Sequence, residues 1–239
     1  MKSNLPVALI TGAAKRLGAE IACALHAHHY NVVIHYRHSK TQADALCQQL
    51  NSTRANSAIA LQADFTTTDS LPTLANAAYA QWRRLDVLIN NVSEYFPTAV
   101  GETTERQWQM LINSNLTAPY FLTQAALPYL QEAQGCIVNI SDVNAYRPLK
   151  DYPVYSTAKA GLNMLTKALA RELGPAIRVN AVAPGPTLWP EGEHTPDDAA
   201  KLKSIARTIL KRQGKPQDIA DAVIFLVQHP HITGHILNI

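Results

Sequence analysis

Val7-Ala8-Leu9-Ile10-Thr11-Gly12-Ala13-Ala14-Lys15-Arg16-Leu17-Gly18 is the stretch that decides the fold. Its unbroken apolar start reads as a strand, Val7–Thr11, buried on both faces. A turn with two glycines follows, and then Leu17, Ile21 and Leu25 recur every four residues, which makes a helix with one apolar face. Glycine tolerates positive φ and lets other backbone come close. Gly12 and Gly18 therefore let the turn hug a pyrophosphate at the helix N-terminus, where free N–H groups and the helix dipole favour an anion. Arg16 stands where a further glycine is expected, and offers a guanidinium to phosphate or substrate.

The same alternation continues outward. Strand-like segments fall at Asn31–Tyr36, Ala58–Gln62, Asp86–Asn90, Cys136–Ile140 and Ile177–Val182. Helical segments fall at Thr41–Leu50, Leu71–Trp82, about Glu105–Ser114, Pro119–Glu132, Val154–Leu173 and Pro216–Val227. Repeated strand–helix units with continuous apolar strands imply an α/β fold, a doubly wound parallel sheet of Rossmann-like, three-layer form. No linker or repeat divides the chain, so residues 1–239 are expected to form a single domain. Between Ala183 and about Ala200 the pattern fails at Pro184, Gly185, Pro186, Pro190, Gly192 and Pro196, with Trp189 among them. A loop this long reads as a substrate loop, about 184–200. The chain stops at Ile239, inside a seventh strand starting near His235, so a further C-terminal tail is expected.

Composition narrows the function classes. Hydrophobic residues make up 47% of the chain, enough for a large core. The apolar runs are strand-sized, too short to span a bilayer. Residues 1–6 leave no room for a signal peptide, and a cytoplasmic protein is expected. The net charge of +3 is spread along the chain, without the basic run that nucleic-acid binding leaves. Cys23, Cys47 and Cys136 are odd in number and far apart, and read as reduced core thiols. His26, His28 and His29 have no cysteine or carboxylate spaced to complete a metal site, and read as helix surface.

Tyr155 and Lys159 are four apart and share one helix face, so an ammonium can sit beside a phenol. A phenol has a pKa of about 10, and a neighbouring cation is expected to lower it. Asp142, thirteen residues before Tyr155, is a strand-end carboxylate in register to meet it. The second strand ends in His35-Tyr36-Arg37-His38-Ser39 followed by Lys40, with no acid. An acid there favours a free ribose 2′-hydroxyl and a cation a 2′-phosphate, so NADPH/NADP is the expected cofactor. Asp64, after the third strand, could accept from the adenine amino group or cap the helix that follows.

Further motifs stand in order along the chain: Leu88-Ile89-Asn90-Asn91, Asn113-Ser114-Asn115-Leu116, Asn139-Ile140-Ser141-Asp142, Tyr155-Ser156-Thr157-Ala158-Lys159 and Asn180-Ala181-Val182-Ala183-Pro184-Gly185. Together they resemble the short-chain dehydrogenase/reductase family nearly end to end. Most relatives have serine at the position of Asp142 and glycine at the positions of Arg16 and Ser93. The three changes together resemble the pteridine reductases, although the order Arg37-His38 and the residues Val92 and Glu94 depart from that pattern.

The resemblance implies an NADPH-dependent reduction of dihydropterins to tetrahydropterins, with oxidised pterins and dihydrofolate as further substrates. It implies catalytic roles for Asp142, Tyr155, Lys159 and Asn115, with Asn115 anchoring a water. Cofactor contacts would come from Gly12, Arg16, Leu17, Gly18, His35, Tyr36, Arg37, His38, Ser39, Asp64, Asn91, Lys159, Pro184, Gly185 and Thr187. Ser93 and Tyr95 would hold and stack on the pterin, and Arg16 would bridge pterin and pyrophosphate. Ala158, Leu162, Leu165 and Leu169 stripe the long helix, which in this family pairs subunits, so a homotetramer is implied. Two rivals stand beside this reading. One is a carbonyl reductase, for example of 3-oxoacyl thioesters. The other is a non-catalytic NADPH-sensing protein.

Overall fold

A computed structural model describes residues 3–192 and 195–239; Met1 and Lys2, and Glu193 and His194 of the predicted substrate loop, lie outside the described residues. Strands β1 (Val7–Ile10), β2 (Asn31–Tyr36), β3 (Ala58–Gln62), β4 (Val87–Asn90), β5 (Cys136–Ile140), β6 (Arg178–Ala183) and β7 (Ile236–Asn238) alternate with helices. The helices are α1 (Arg16–Ala27), α2 (Lys40–Thr53), α3 (Leu71–Trp82), α4 (Glu105–Ile112), α5 (Ala118–Ala133), α6 (Pro153–Leu173), α7 (Asp198–Arg207) and α8 (Pro216–Gln228). Among the described residues all strand pairs are parallel, in the order β3-β2-β1-β4-β5-β6-β7.

The period-2 alternation of a strand sends neighbouring side chains to opposite faces. Ala8 and Ile10 of β1 pack with Ile21, Leu25, Leu46 and Val223 from α1, α2 and α8. Val7 and Leu9 pack with Leu71, Leu74, Leu122 and Leu130 from α3 and α5. Both faces of the sheet are thus covered, giving the three layers expected. The order reverses between β1 and β4, and at such a switch point the carboxyl ends of the strands open a crevice.

Several boundaries shift for identifiable reasons. β1 ends at Ile10, because the Thr11 hydroxyl turns to accept from Asn91 N–H and Val92 N–H. β4 starts at Val87, because the Asp86 carboxylate accepts from Val7 N–H at 2.8 Å and pairs with Arg84. β6 runs one residue beyond the predicted Val182, to Ala183. α4 and α5, expected as separate helices, are joined by a π turn over Asn113–Thr117. Pro119 has no N–H for a bond four residues back, and Ala118 N–H reaches the Asn113 carbonyl instead.

Three readings are corrected. The loop predicted to about Ala200 ends sooner, since Asp197 caps α7 by accepting from Ala200 N–H at 2.7 Å. α7 buries no residue, so the sequence carries no apolar stripe to announce it. His26 is buried rather than on the helix surface, with Nε2 at 2.7 Å from Ser57 Oγ, and only His28 and His29 are exposed. Cys47 and Cys136 are buried free thiols as expected, but Cys23 is only partly buried. The α6 stripe faces inward, with Ala158 and Leu162 buried and Leu169 packed on the core. Among the described residues no helix is long and apolar enough to cross a membrane, and no three His, Cys, Asp or Glu side chains cluster to hold a metal.

His35, at the end of β2, pins the glycine turn. Its Nδ1 accepts from Gly12 N–H at 3.0 Å, which leaves Nε2–H to donate to the Ala63 carbonyl at 3.1 Å. The ring stacks on Phe65 with centroids 4.4 Å apart. Burial drives its pKa from 6.5 down to about 4. The neutral ring therefore contributes stability that is present above pH 6.5 and lost as the pH falls through about 4. A shift of this size corresponds to about 3 kcal/mol. Thermal melts between pH 7.5 and 4 (about neutral to the lowered pKa) should show His35→Asn losing less stability on acidification than the parent. Parallel losses would refute the buried neutral histidine.

Candidate active site

The carboxyl ends of the strands open into a cleft of about 970 Å³ that runs from the end of β2 to the start of α6. Its floor is the turn after β1. Gly12 has φ +63°, and a Cβ added at Gly18 would lie 2.4 Å from the Gly12 carbonyl oxygen. Backbone passes so close there that only glycine fits. Asn91 braces the turn from the end of β4, its Nδ2 donating to the Thr11 carbonyl at 2.9 Å. The turn thus presents the N-terminus of α1 to the cleft, where oriented N–H groups and the helix dipole suit a pyrophosphate. This cradle fits a dinucleotide.

At the far end, Tyr155 donates from its phenol to Asp142 Oδ2 at 2.6 Å, and Asp142 Oδ1 accepts from Asn144 N–H at 2.7 Å. Asp142 lies two residues past the end of β5 and caps a short 3₁₀ turn, Val143–Ala145, while Tyr155 sits in the first turn of α6. One turn on, Lys159 is 2% exposed, its Nζ donating to the Ile140 carbonyl at 2.9 Å and lying 5.7 Å from the Tyr155 ring centroid. Burial pushes the Asp142 carboxyl above its usual range, against the bonds from Tyr155 and Asn144 N–H and the pull of Lys159. Burial lowers the Lys159 ammonium to about 8.

The phenol departs from expectation. Burial first, and the Asp142 carboxylate second, hold Tyr155 well above its ordinary value. The lysine lies under the ring and is spent on a backbone carbonyl, whereas the carboxylate touches the hydroxyl itself. Burial and an acceptor carboxylate at hydrogen-bond distance therefore push the phenol the same way, and the lysine does not offset them.

Most of the predicted residues line this one cleft: Leu17, Tyr36, Arg37, His38, Ser39, Ser93, Tyr95, Pro184, Gly185 and Thr187 join those already placed. Others are spent differently. His35 lines the cleft, but both of its ring nitrogens are engaged by protein, so it supports the turn and has no nitrogen free for a ligand. Asp64 is not on the cleft wall; its carboxylate accepts from Thr66 N–H at 2.9 Å, and α3 begins after Ser70 instead. Asn115 is fully buried. Its Nδ2 donates to the carbonyls of Glu94 and Leu111, both at 3.0 Å, and its Oδ1 accepts from Ser93 Oγ at 2.7 Å. The carboxamide has no donor left for a water and instead ties the loop after β4 to the π turn.

Arg16, at φ +56°, reaches away from the turn floor toward the loop after β6. It donates to the Trp189 carbonyl at 2.7 Å and pairs with Glu191. Tyr95 stacks on Tyr152 with centroids 4.6 Å apart and meets Tyr155 edge to face at 4.8 Å. Tyr152 and the α7 residues Lys203 and Arg207 also line the cleft and were not singled out in the sequence, and Glu94, noted there only as a departure from the pattern, lines it too. Tyr152 lies three positions before Tyr155, and Glu94 between two residues already read as substrate-binding, so position was their available signal.

Comparisons with known proteins agree with this geometry. A family profile described as enoyl-(acyl carrier protein) reductase matches residues 12–239. The chain is 36% identical to pteridine reductase 1 of Leishmania tarentolae, with 98% of this chain and 94% of that protein covered. It is 39% identical to an uncharacterized oxidoreductase of Methylorubrum extorquens (97% and 95% covered). Identity to a 3-oxoacyl-[acyl-carrier-protein] reductase of Synechocystis is 34% (98% and 94% covered). With a nucleotide turn, a Tyr–Lys pair one helical turn apart and matches along almost its whole length, the chain belongs to the short-chain dehydrogenase/reductase family and is an oxidoreductase.

Proposed function

We propose that this protein is an NADPH-dependent pterin reductase, taking dihydropterins to tetrahydropterins and accepting oxidised pterins and dihydrofolate. The observation that carries the reading is the 2.6 Å bond between Tyr155 and Asp142. A carbonyl reductase needs a donor beside its phenol to hold the substrate oxygen, and a carboxylate there repels a developing alkoxide unless it is protonated. A pterin C=N bond takes a hydride at carbon and a proton at nitrogen, so a second acid is useful where an acceptor would be harmful.

The nicotinamide cofactor supplies the hydride when bound. Gly12, Gly18 and Asn91 hold the turn that receives its pyrophosphate, and Arg37, His38 and Ser39 face its adenosine ribose. Lys159, under the phenol, is placed for the other ribose. Tyr95, backed by Tyr152, offers an aromatic surface to the flat substrate, and Ser93 a hydroxyl to its polar edge.

Tyr155 passes its proton to the ring nitrogen beside the carbon being reduced. Its phenolate is then reprotonated by Asp142, which must be in the acid form to donate. Burial raises the Asp142 pKa in that direction, and the residue lines the cleft, from which the carboxyl is reloaded. The resemblance to the family supports a homotetramer, and Met164 on α6 and Phe225 on α8 are exposed in the single chain.

The 34% identity to a 3-oxoacyl reductase keeps carbonyl reduction as the rival. Assays of NADPH oxidation should show turnover with dihydrobiopterin and none with acetoacetyl thioesters; the reverse pattern would replace our reading with the rival. Tyr155→Phe should cost at least about a hundredfold in kcat, the usual scale of a lost proton donor, while NADPH titrations show binding retained. Undiminished turnover would remove the donor role.

Activity should fall as the pH rises through the raised Asp142 pKa. Asp142→Ser should lose that fall and lower kcat more than cofactor affinity. Stability gives an independent check. A carboxyl whose folded pKa is raised favours the fold below its unfolded pKa and loses that contribution as the pH climbs through the folded value. Asp142→Asn should therefore melt higher than the parent at pH 7, with the advantage vanishing at low pH. An advantage that does not change with pH would contradict the desolvated carboxyl.

A further inference from the structure

The end of β2 carries no acid in sequence, and that absence is the basis for expecting a 2′-phosphate there. The fold supplies one from elsewhere. Glu94, fifty-seven residues after Arg37 and on the loop that follows β4, places Oε1 3.0 Å from Arg37 Nη1. Both side chains are partly exposed, at 39% for Arg37 and 30% for Glu94, and both line the cleft. Lys40, the other cation beside this site, is taken by Asp44 at 2.6 Å and does not line the cleft. Of the side chains facing the cleft from the end of β2, Arg37 carries the fixed positive charge, and a carboxylate sits on it.

We propose that Glu94 is a specificity-determining residue for the cofactor, competing with the 2′-phosphate for the Arg37 guanidinium. A phosphate entering there must displace the carboxylate from the guanidinium and then lie close to it. A free 2′-hydroxyl has no such contest and can donate to the carboxylate. Glu94 therefore narrows the preference for NADPH over NADH below what Arg37, His38 and Ser39 would set alone.

The position of Glu94 makes the competition local. Its main-chain carbonyl is held by Asn115 Nδ2 at 3.0 Å, so the side chain can leave Arg37 without the loop moving. Screened, partly exposed ion pairs are weak, and a phosphate can break this one. The carboxylate that remains nearby then costs affinity through like-charge repulsion.

The inference rests on the reading of the β2 end as a 2′-phosphate site, and direct titration separates the two. Dissociation constants for NADPH and NADH would be measured by cofactor fluorescence with the parent, Glu94→Gln, Glu94→Ala and Arg37→Ala, each checked by thermal melting. Glu94→Gln and Glu94→Ala should tighten NADPH about three- to tenfold while NADH binds equally or more weakly. Arg37→Ala should weaken NADPH by at least about fivefold relative to NADH, as loss of a charged phosphate contact requires.

If Arg37→Ala acts as expected but both Glu94 variants leave NADPH affinity within about twofold, the competition is refuted and the phosphate site stands. Should Arg37→Ala leave the NADPH/NADH ratio unchanged, the phosphate site fails and the role of Glu94 falls with it. A folded Glu94→Gln that binds NADPH more weakly overturns the proposal outright.

Discussion

The hydrogen bond between Tyr155 and Asp142 is a constraint on the backbone before it is a chemical device. Asp142 leaves the carboxyl end of β5, and Tyr155 stands in the first turn of α6. A 2.6 Å contact between them requires that α6 enter over the end of β5 at one height and one rotation. Two anchors set that entry. Lys159 donates to the Ile140 carbonyl, and Ser141 Oγ donates to Asn163 Oδ1 at 2.6 Å, so α6 is stitched to the end of β5 at successive turns. The lysine is buried with a single backbone partner, which explains its lowered pKa and makes its position as much architectural as chemical.

Buried polar groups elsewhere in the cleft wall follow the same economy. Each is satisfied by the neighbouring element it positions, because an unpaired buried donor costs about 1–3 kcal/mol. Asn91 joins β4 to the turn after β1, His35 joins β2 to that turn and to the end of β3, and Asn115 joins the loop after β4 to the π turn. The residues that resemblance assigns to cofactor or water are thus partly residues that hold the wall in shape. Their contribution to binding passes through the backbone they fix.

Much of this was legible in the sequence, and the parts that were not share a cause. The core helices and strands carry apolar periodicity, and their bounds coincide with expectation at Leu71–Trp82 and Cys136–Ile140 and differ by at most a few residues elsewhere. Asp142, Tyr155 and Lys159 were found because strand end and helix period place them without knowledge of packing. α7 was missed because it buries nothing, and the continuity of α4 with α5 because a proline reads as a break until the π register is seen. His26 was misjudged because its partner Ser57 lies thirty-one residues away. The direction of the Tyr155 shift was misjudged because spacing shows neither how deeply the phenol is buried nor which nearby charge touches its oxygen.

Arg37 and Arg16 extend that argument to the cleft as a whole. Each is a cation read from sequence as free for phosphate, and each is met by a glutamate from a distant loop, Glu94 and Glu191. The cleft that would receive a highly charged dinucleotide therefore has two of its guanidiniums already engaged. Such pairing keeps long cations ordered and limits the cost of holding like charges together, but every pair must be exchanged for a phosphate when the ligand enters. Affinity then depends on the difference between two ionic contacts, which is small, rather than on the full strength of one. Selectivity in such a site is set by which pair is harder to exchange, and so by the glutamates as much as by the arginines.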